Sequence, residues 1–315
     1  MGDSGICGPI PPPRMDDPSP NIAIVTPSLN QRASIGATIE SVLSQNYPRL
    51  DYLVMDGGSN DGTVELLQSF GSRIRFVAQP DAGQADAINR GFGQCRGAIL
   101  GWLNSDDTLA AGALATVAKL FAAYPNAAVI YGDCDFIDAA GKRIGRCEHI
   151  EPFNLHRLRH YSDFIVQPAA FFRRSAFESV GGLDASLHRA MDYDLWLKLA
   201  ETVQFHYEPV TLANYRWVGT NKSGEGGWKR LAEVRTVAER HGLPMSAYFQ
   251  MEAVALHGSE MWAALCRGQL PAALRSLAGA VRLATSPRVL ASLARPQTWR
   301  VILMGQKLRR AAHAT

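Results

Sequence analysis

The chain reads as an α/β protein, a mostly parallel sheet flanked by helices with a helical extension behind it. Two observations predict this. Short apolar, β-branched runs alternate with stretches whose apolar residues recur at helical spacing, and the connections are short. In addition, polar and acidic clusters follow the apolar runs in four separate loops, at Asn30, Asp56 to Asp61, Asp81 to Gln84, and Asn104 to Asp107. In an open α/β sheet the carboxyl ends of the strands share one edge, and ligands bind there. A domain without a site would scatter such loops over both edges.

The elements follow in order. Asn21–Pro27 reads as the first strand, closed by Pro27. Ile35, Ile39, Val42 and Leu43 then recur at helical spacing up to Pro48. Leu50–Met55 is a second strand, and Val64–Phe70 a helix with Asp61 or Thr63 as its cap. Ile74–Ala78 is a third strand, 84–95 a helix, and Ala98–Leu103 a fourth strand ending in Asn104-Ser105-Asp106-Asp107. Two adjacent carboxylates repel, so a site holding both usually holds a cation, and oxygen ligands suit Mg²⁺ or Mn²⁺. The competing reading makes Asp107 or Thr108 the cap of a helix over 110–124.

Ala127–Ile137 reads as a strand with Tyr131, Asp133, Asp135 and Ile137 on one face, and Asp138–Gly141 as a hairpin turn. Residues 148–164 read as irregular and line an opening, and Phe164–Arg173 as a further strand interrupted by Pro168. Met191, Leu195 and Leu199 mark a helix with Asp192 and Asp194 in its first turn, where the dipole favours carboxylates. The alternative there is a general base. Val203–Tyr215 gives one or two strands and 227–241 a charged helix.

Totals narrow the function. The 315 residues suffice for a sizeable core, and a net charge of +3 gives no argument for a nucleic-acid partner. Five scattered cysteines, at 7, 95, 134, 147 and 266, suit a reducing compartment and form no zinc pattern. Residues 1–20 read as a disordered Pro-rich leader without the apolar segment of a signal peptide. No uninterrupted apolar run reaches the roughly 18 residues of a membrane span, so the expected location is cytoplasmic. Beyond Met245 the chain is Ala/Leu-rich and basic, in two or three helices broken near Pro271, Pro287 and Pro296. Two placements stay open for them: on an anionic membrane surface, or as a cap packed on the domain.

Five stretches taken together resemble glycosyltransferase family 2, the inverting nucleotide-sugar transferases of the GT-A fold. They are Thr26-Pro27-Ser28-Leu29-Asn30, Asp56 to Thr63, Asp81-Ala82-Gly83-Gln84 with Asn89 and Gly91, Asn104 to Asp107, and Met191 to Trp196. The resemblance implies a GT-A domain over 21–225 and a helical, basic extension over 226–315. It implies that Pro27 and Asn30 meet the donor nucleoside, that Asp56 binds base or ribose, and that Asp81, Gly83 and Gln84 lie near ribose and diphosphate. Asn104-Ser105-Asp106 takes the Asp-x-Asp position, with Asn104 on the donor side and Asp106 holding Mn²⁺ or Mg²⁺. Asp107 and Trp196 support that centre or lie near the donor sugar. Asp192 aligns with the catalytic base.

Two departures stand out. Asn104 replaces the first acid, and Tyr215-Arg216-Trp217-Val218 lacks a histidine that relatives carry; Lys222 is then the residue expected on the diphosphate. The implied activity is sugar transfer from a nucleotide-diphosphate sugar, a UDP-sugar foremost, to a glycan or lipid-linked acceptor in polysaccharide or cell-envelope synthesis. The alternative is a nucleotide-sugar-binding protein that has lost catalysis. A nucleotidyltransferase is disfavoured because no Gly-rich, basic phosphate loop follows the first strand, and a Rossmann oxidoreductase because no GxGxxG does.

Overall fold

A computed structural model of the chain describes residues 20–218 and 227–293. Among them, nine strands form one sheet in the order β3-β2-β1-β4-β8-β6-β9-β5, with β7 paired to β6. The strands are β1 (Ile22–Ser28), β2 (Leu50–Asp56), β3 (Arg75–Ala78), β4 (Ile99–Trp102), β5 (Thr108–Leu109), β6 (Ala127–Ile137), β7 (Arg143–Arg146), β8 (Ala170–Arg173) and β9 (Gln204–Arg216). β1 to β4 run parallel. β8 is antiparallel to both β4 and β6, and β6 is parallel to β9.

Strand alternation sorts the core into two layers. Ile22, Ile24, Tyr52 and Val54 face α1 (Ile35–Leu43), α2 (Thr63–Ser69) and α4 (Ala113–Ala123). Ala23, Val25, Leu53 and Met55 face the other way, toward α3 (Gln84–Gln94), α6 (Arg174–Ser179) and α7 (Met191–Ala200). This period of two is what a strand buried on both faces requires. The second layer continues into the extension. Leu231, Val234 and Val237 of α8 (Gly227–Arg240) and Phe249 and Ala253 of α9 (Ala247–Cys266) belong to it. So α8 and the first half of α9 pack on this layer of the domain. Beyond them lie α10 (Leu270–Ala284) and α11 (Pro287–Leu293). No described helix is long and apolar enough to cross a membrane.

Several expectations need correction. Asp107 and Thr108 cap no helix: Thr108–Leu109 pairs with β9 as a strand, and α4 starts only after Gly112 in a left-handed conformation. The segment 148–164 is not irregular throughout, because Asn154 caps a helix, α5 (Leu155–His160), by accepting the Arg157 N–H at 3.0 Å. Phe164–Arg173 is not one strand. Pro168 lacks an N–H for a ladder, and Gln167–Ala169 turns as a 3₁₀ helix before β8. The alternation expected along β6 holds, with Val129 and Tyr131 in one layer and Ile130, Cys134 and Phe136 in the other, and the register shifts near Gly132 are taken up by extra residues of β9 between Glu208 and Ala213. Gly62, not Asp61 or Thr63, is the residue before α2, although the Asp61 carboxylate does accept the Thr63 N–H at 3.0 Å. The leader up to residue 19, Lys222 and the break at Pro296 lie outside the described residues.

Candidate active site at the carboxyl end of the sheet

Register aligns the loops. Ser28 pairs with Asp56, and Asp56 with Ala78, so the first three strands end side by side. β4 ends level with Val25, and the Leu103 N–H continues the ladder to the Val25 carbonyl at 3.0 Å. Pro27 sits beyond the reach of β4, where its missing N–H costs no bond on that side.

The first two loops are laced together. Asn30, in the left-handed region at φ 54°, accepts the Asn60 N–H at 3.0 Å. Its own N–H goes to the Ser59 hydroxyl at 2.7 Å. Asp56 is buried, and its carboxylate accepts the Gly58 and Ser59 N–H groups and the Ser59 hydroxyl at 3.1, 2.8 and 2.6 Å. The Thr63 hydroxyl, aided by N–H groups, holds the Asp61 carboxyl below its usual range. Asp81 caps its own loop by accepting the Gly83 N–H at 2.9 Å, and it lies so close to Gly57 that a Cβ there would be 2.7 Å from its Oδ2. Glycine at 57 lets the second and third loops touch.

The fourth loop explains Asn104. Its Oδ1 accepts from Gln84 at 2.7 Å, while its Nδ2 donates to Gln167 at 3.3 Å and toward Asp107 at 3.4 Å. Gln167 in turn donates to the Trp102 carbonyl at 2.7 Å. An aspartate at 104 would have no N–H to give Gln167 or Asp107, and would add a charge beside a buried acid. The amide thus joins three loops where the usual acid would repel. Asp107 is 1% exposed and accepts the Arg216 N–H at 2.9 Å. Burial, and then the Asp106 charge, push its carboxyl well above the usual range. Asp106 itself is half-buried, and its carbonyl accepts from Arg216 Nε at 2.7 Å.

The donor-side loops meet the start of α7 at three places. A Cβ on Gly83 would lie 3.2 Å from His188 Nδ1. Asn89 exchanges two hydrogen bonds with the Leu183 backbone, at 2.8 and 3.0 Å. Trp102, two residues before Asn104, stacks on Trp196 with centroids 6.0 Å apart and planes at 13°. Trp196 lies one turn from Asp192 on the same helix face. Trp196, expected to support the centre or lie near the donor sugar, is 0% exposed and packs α7 against the end of β4.

Asp192 is half-buried and accepts the Tyr193 N–H at 2.9 Å. Burial raises its carboxyl, opposed by that N–H and by Arg230. Asp194 behaves differently. It is 2% exposed, and it pairs with Lys198 at 2.6 Å and His241 at 3.2 Å. Burial pushes its carboxyl up, but the bonds from His241 and Lys198 outweigh this and leave it below the usual range.

The sequence reading missed a second acid and its counter-charges. Asp163 sits in the electrostatic reach of Asp192, with a buried Oδ1 that has no partner. Burial and then the Asp192 charge push it up to about 8, against Arg230. Arg230 of α8 pairs with Glu252 at 2.5 Å and lies over the Phe249 ring at 5.1 Å. Glu233, also on α8, accepts the His188 and Arg189 N–H groups at 2.9 and 2.7 Å and fixes the loop entering α7. No local pattern marks these residues. Their partners lie tens of residues away, and in sequence they read as a solvated helix face. Among the described residues no group of three or more His, Cys, Asp or Glu is arranged to hold a metal ion.

Residues 23–181, just over half of the chain, match the model of Glycosyl transferase family 2. The chain belongs to this family. Over 191 residues it is 30% identical to a chondroitin synthase of Escherichia coli, an alignment covering 60% of this chain and 28% of that protein. The chain thus spans less than a third of that relative's length. Solved structures share the fold. A mannosyltransferase of Pyrobaculum calidifontis, PcManGT, in complex with GDP-Man and Mn²⁺ superposes with a TM-score of 0.57 at 20% identity, covering 96% of this chain and 88% of that one. Residues 1–349 of TarS from S. aureus, in complex with UDP-GlcNAc, give 0.56 at 13% identity, covering 76% and 71%. The family 2 chain described here therefore has a GT-A fold.

Proposed function

We propose that this family 2 chain moves a sugar from a nucleoside-diphosphate sugar, a UDP-sugar foremost, to a hydroxyl of a glycan or lipid-linked acceptor, inverting the anomeric centre. The observation that carries the reading is the gathering of four polar loops at the carboxyl ends of β1 to β4, with the third loop, α3 and β4 joined to α7 and the chain entering it through Gly83, Asn89 and the Trp102–Trp196 stack. UDP-GlcNAc in TarS and GDP-Man in PcManGT make a nucleotide sugar the donor class to test.

Asp192 serves as general base. A sugar hydroxyl is a weak nucleophile near neutral pH, and a carboxylate whose pKa is raised toward the working pH takes its proton more effectively. Asp163, pushed up to about 8 by burial and then by the Asp192 charge, keeps its proton near neutral pH. The acceptor oxygen bonds to the anomeric carbon as the bond to the diphosphate oxygen breaks. The nucleoside diphosphate leaves with that electron pair, and no enzyme nucleophile is needed. Pro27, Asn30 and Asp56 flank the nucleoside, and Asp81, Gly83 and Gln84 the ribose and diphosphate. Lys222, outside the described residues, is the basic residue whose substitution should weaken diphosphate binding.

Asp106 fits a divalent cation. A Mg²⁺-type ion commonly takes one or two carboxylates and fills its remaining positions with substrate phosphate and water. The Asp106 charge helps raise Asp107 despite the Arg216 guanidinium beside the pair, so a further cation is favourable at this turn. Asp106 would hold Mn²⁺ or Mg²⁺, which would supply Lewis-acid neutralisation of the leaving diphosphate.

The test is a panel of UDP-, GDP- and dTDP-sugars with Mn²⁺ or Mg²⁺ and glycan or lipid-linked acceptors, read as acceptor-dependent nucleotide release and as donor binding. Metal-stimulated release with one donor is expected. Donor binding with no transfer to any acceptor class would favour a binding protein that has lost catalysis, a reading motivated by Asn104 and Val218.

A further inference from the structure

The outermost helices have their apolar faces inverted. α10 meets α9 through small residues: Ala273 is buried, and Gly279 lies so close to His257 that a Cβ there would be 2.5 Å from its Nε2. The large side chains Leu270, Leu274, Leu277 and Val281 instead lie exposed, 59%, 56%, 43% and 52%. Their spacing of four, three and four residues makes one stripe along the helix. Trp262 and Leu265 near the end of α9 are exposed as well. A soluble helix usually buries such a stripe, and exposed apolar patches of this kind mark interaction surfaces.

Charge identifies the partner. Arg275 and Arg282 lie exposed along one flank of the stripe, and Arg267 at its end. After Glu260 the sequence holds nine Arg and Lys residues and no acid. Glu260 and Glu252 are themselves engaged, by the Trp228 indole N–H at 2.6 Å and by Arg230. An apolar stripe flanked by arginines with no balancing acid matches an anionic bilayer, where leucines enter the headgroup–acyl boundary and guanidinium groups meet lipid phosphates. A second copy of the chain would set arginine against arginine. We propose that the outer face of α10, with the end of α9, docks the protein on anionic phospholipid membrane. This inference stands apart from the transferase reading and does not depend on it.

The experiment uses the full chain with vesicles of phosphatidylcholine, with and without phosphatidylglycerol, read by co-sedimentation at low and raised salt. Expected is salt-sensitive binding to the anionic vesicles and little to the neutral ones. Leu274→Ser with Leu277→Ser, and separately Arg275→Glu with Arg282→Glu, should each lower the partition coefficient at least about tenfold. Because these side chains are exposed, the melting curves should stay unchanged. Equal binding to both vesicle types would overturn the proposal. So would variants that bind like the parent, which is the result if residues 294–315 cover or replace this face. A dimer that the leucine variant dissociates, with no vesicle binding by the parent, would assign the face to self-association and also overturn it.

Discussion

Two pairs of acids invite comparison, Asp106 and Asp107 after β4 and Asp192 and Asp194 in the first turn of α7. In each, one carboxylate is built into the fold and the other stays half-buried. The built-in members are held in opposite ways. Asp107 is held chiefly by N–H groups, from Arg216 and Asn104, and burial beside Asp106 raises it. Asp194 is held by Lys198 and His241, and despite burial it is lowered. The comparison teaches where charge is balanced from within. At the α7 turn Lys198 and His241 outweigh burial at Asp194. At the β4 turn Arg216 offsets burial and the Asp106 charge only in part, so a further cation would be favourable there, which supports assigning the metal to Asp106 and proton transfer to Asp192.

The comparison can be broken most forcefully at Asp106. Asp106→Ala should abolish the metal dependence of donor binding and slow transfer roughly a hundredfold or more, measured by calorimetry with and without Mn²⁺ and by turnover. Unchanged metal-dependent binding would move the metal elsewhere. Next comes the joint between the pairs. Trp196→Ala should cost about 3–5 kcal/mol in urea unfolding, and Trp196→Phe clearly less. Both should slow transfer more than they weaken donor binding, because Asp192 lies one turn away.

A smaller effect is expected at Asp194, where Asp194→Asn should cost about 1–3 kcal/mol at neutral pH. Its sign with pH follows from the lowered carboxyl. The contribution is full above the unfolded pKa of about 3.9 and fades as pH falls through the lower folded value. The stability gap between parent and variant should therefore hold from neutrality down to about pH 4 and close only below it. The smallest effect belongs to Asp107→Asn, under about 1 kcal/mol, because the amide oxygen still accepts the Arg216 N–H. If Asp107→Asn cost more than Asp194→Asn, the contrast between the two turns would be reversed.

The donor half was legible in the sequence because its determinants are local. Strand alternation placed β1 to β4, and Asp56, Asp61 and Asp81 mostly bond within a few residues of themselves. The other half was not. Arg230, Glu233 and His241 act on residues 38 or more positions away, and Asp163 gains its character from burial and then from the Asp192 charge, far along the chain. Asn104 looked like a weakened ligand until Gln84 and Gln167 gave its amide two jobs that a carboxylate cannot share. The family stretch left Trp196 either supporting the centre or near the sugar, and only three-dimensional packing reveals its stack on Trp102.

The central claim is the division of labour between Asp106 and Asp192, and Asp192→Asn tests it most directly. With donor and metal binding measured by calorimetry and transfer measured on the same preparation, the account predicts donor binding within about twofold of the parent and transfer lowered by roughly 10²–10⁴. Transfer at the parent's rate with intact donor binding would contradict it.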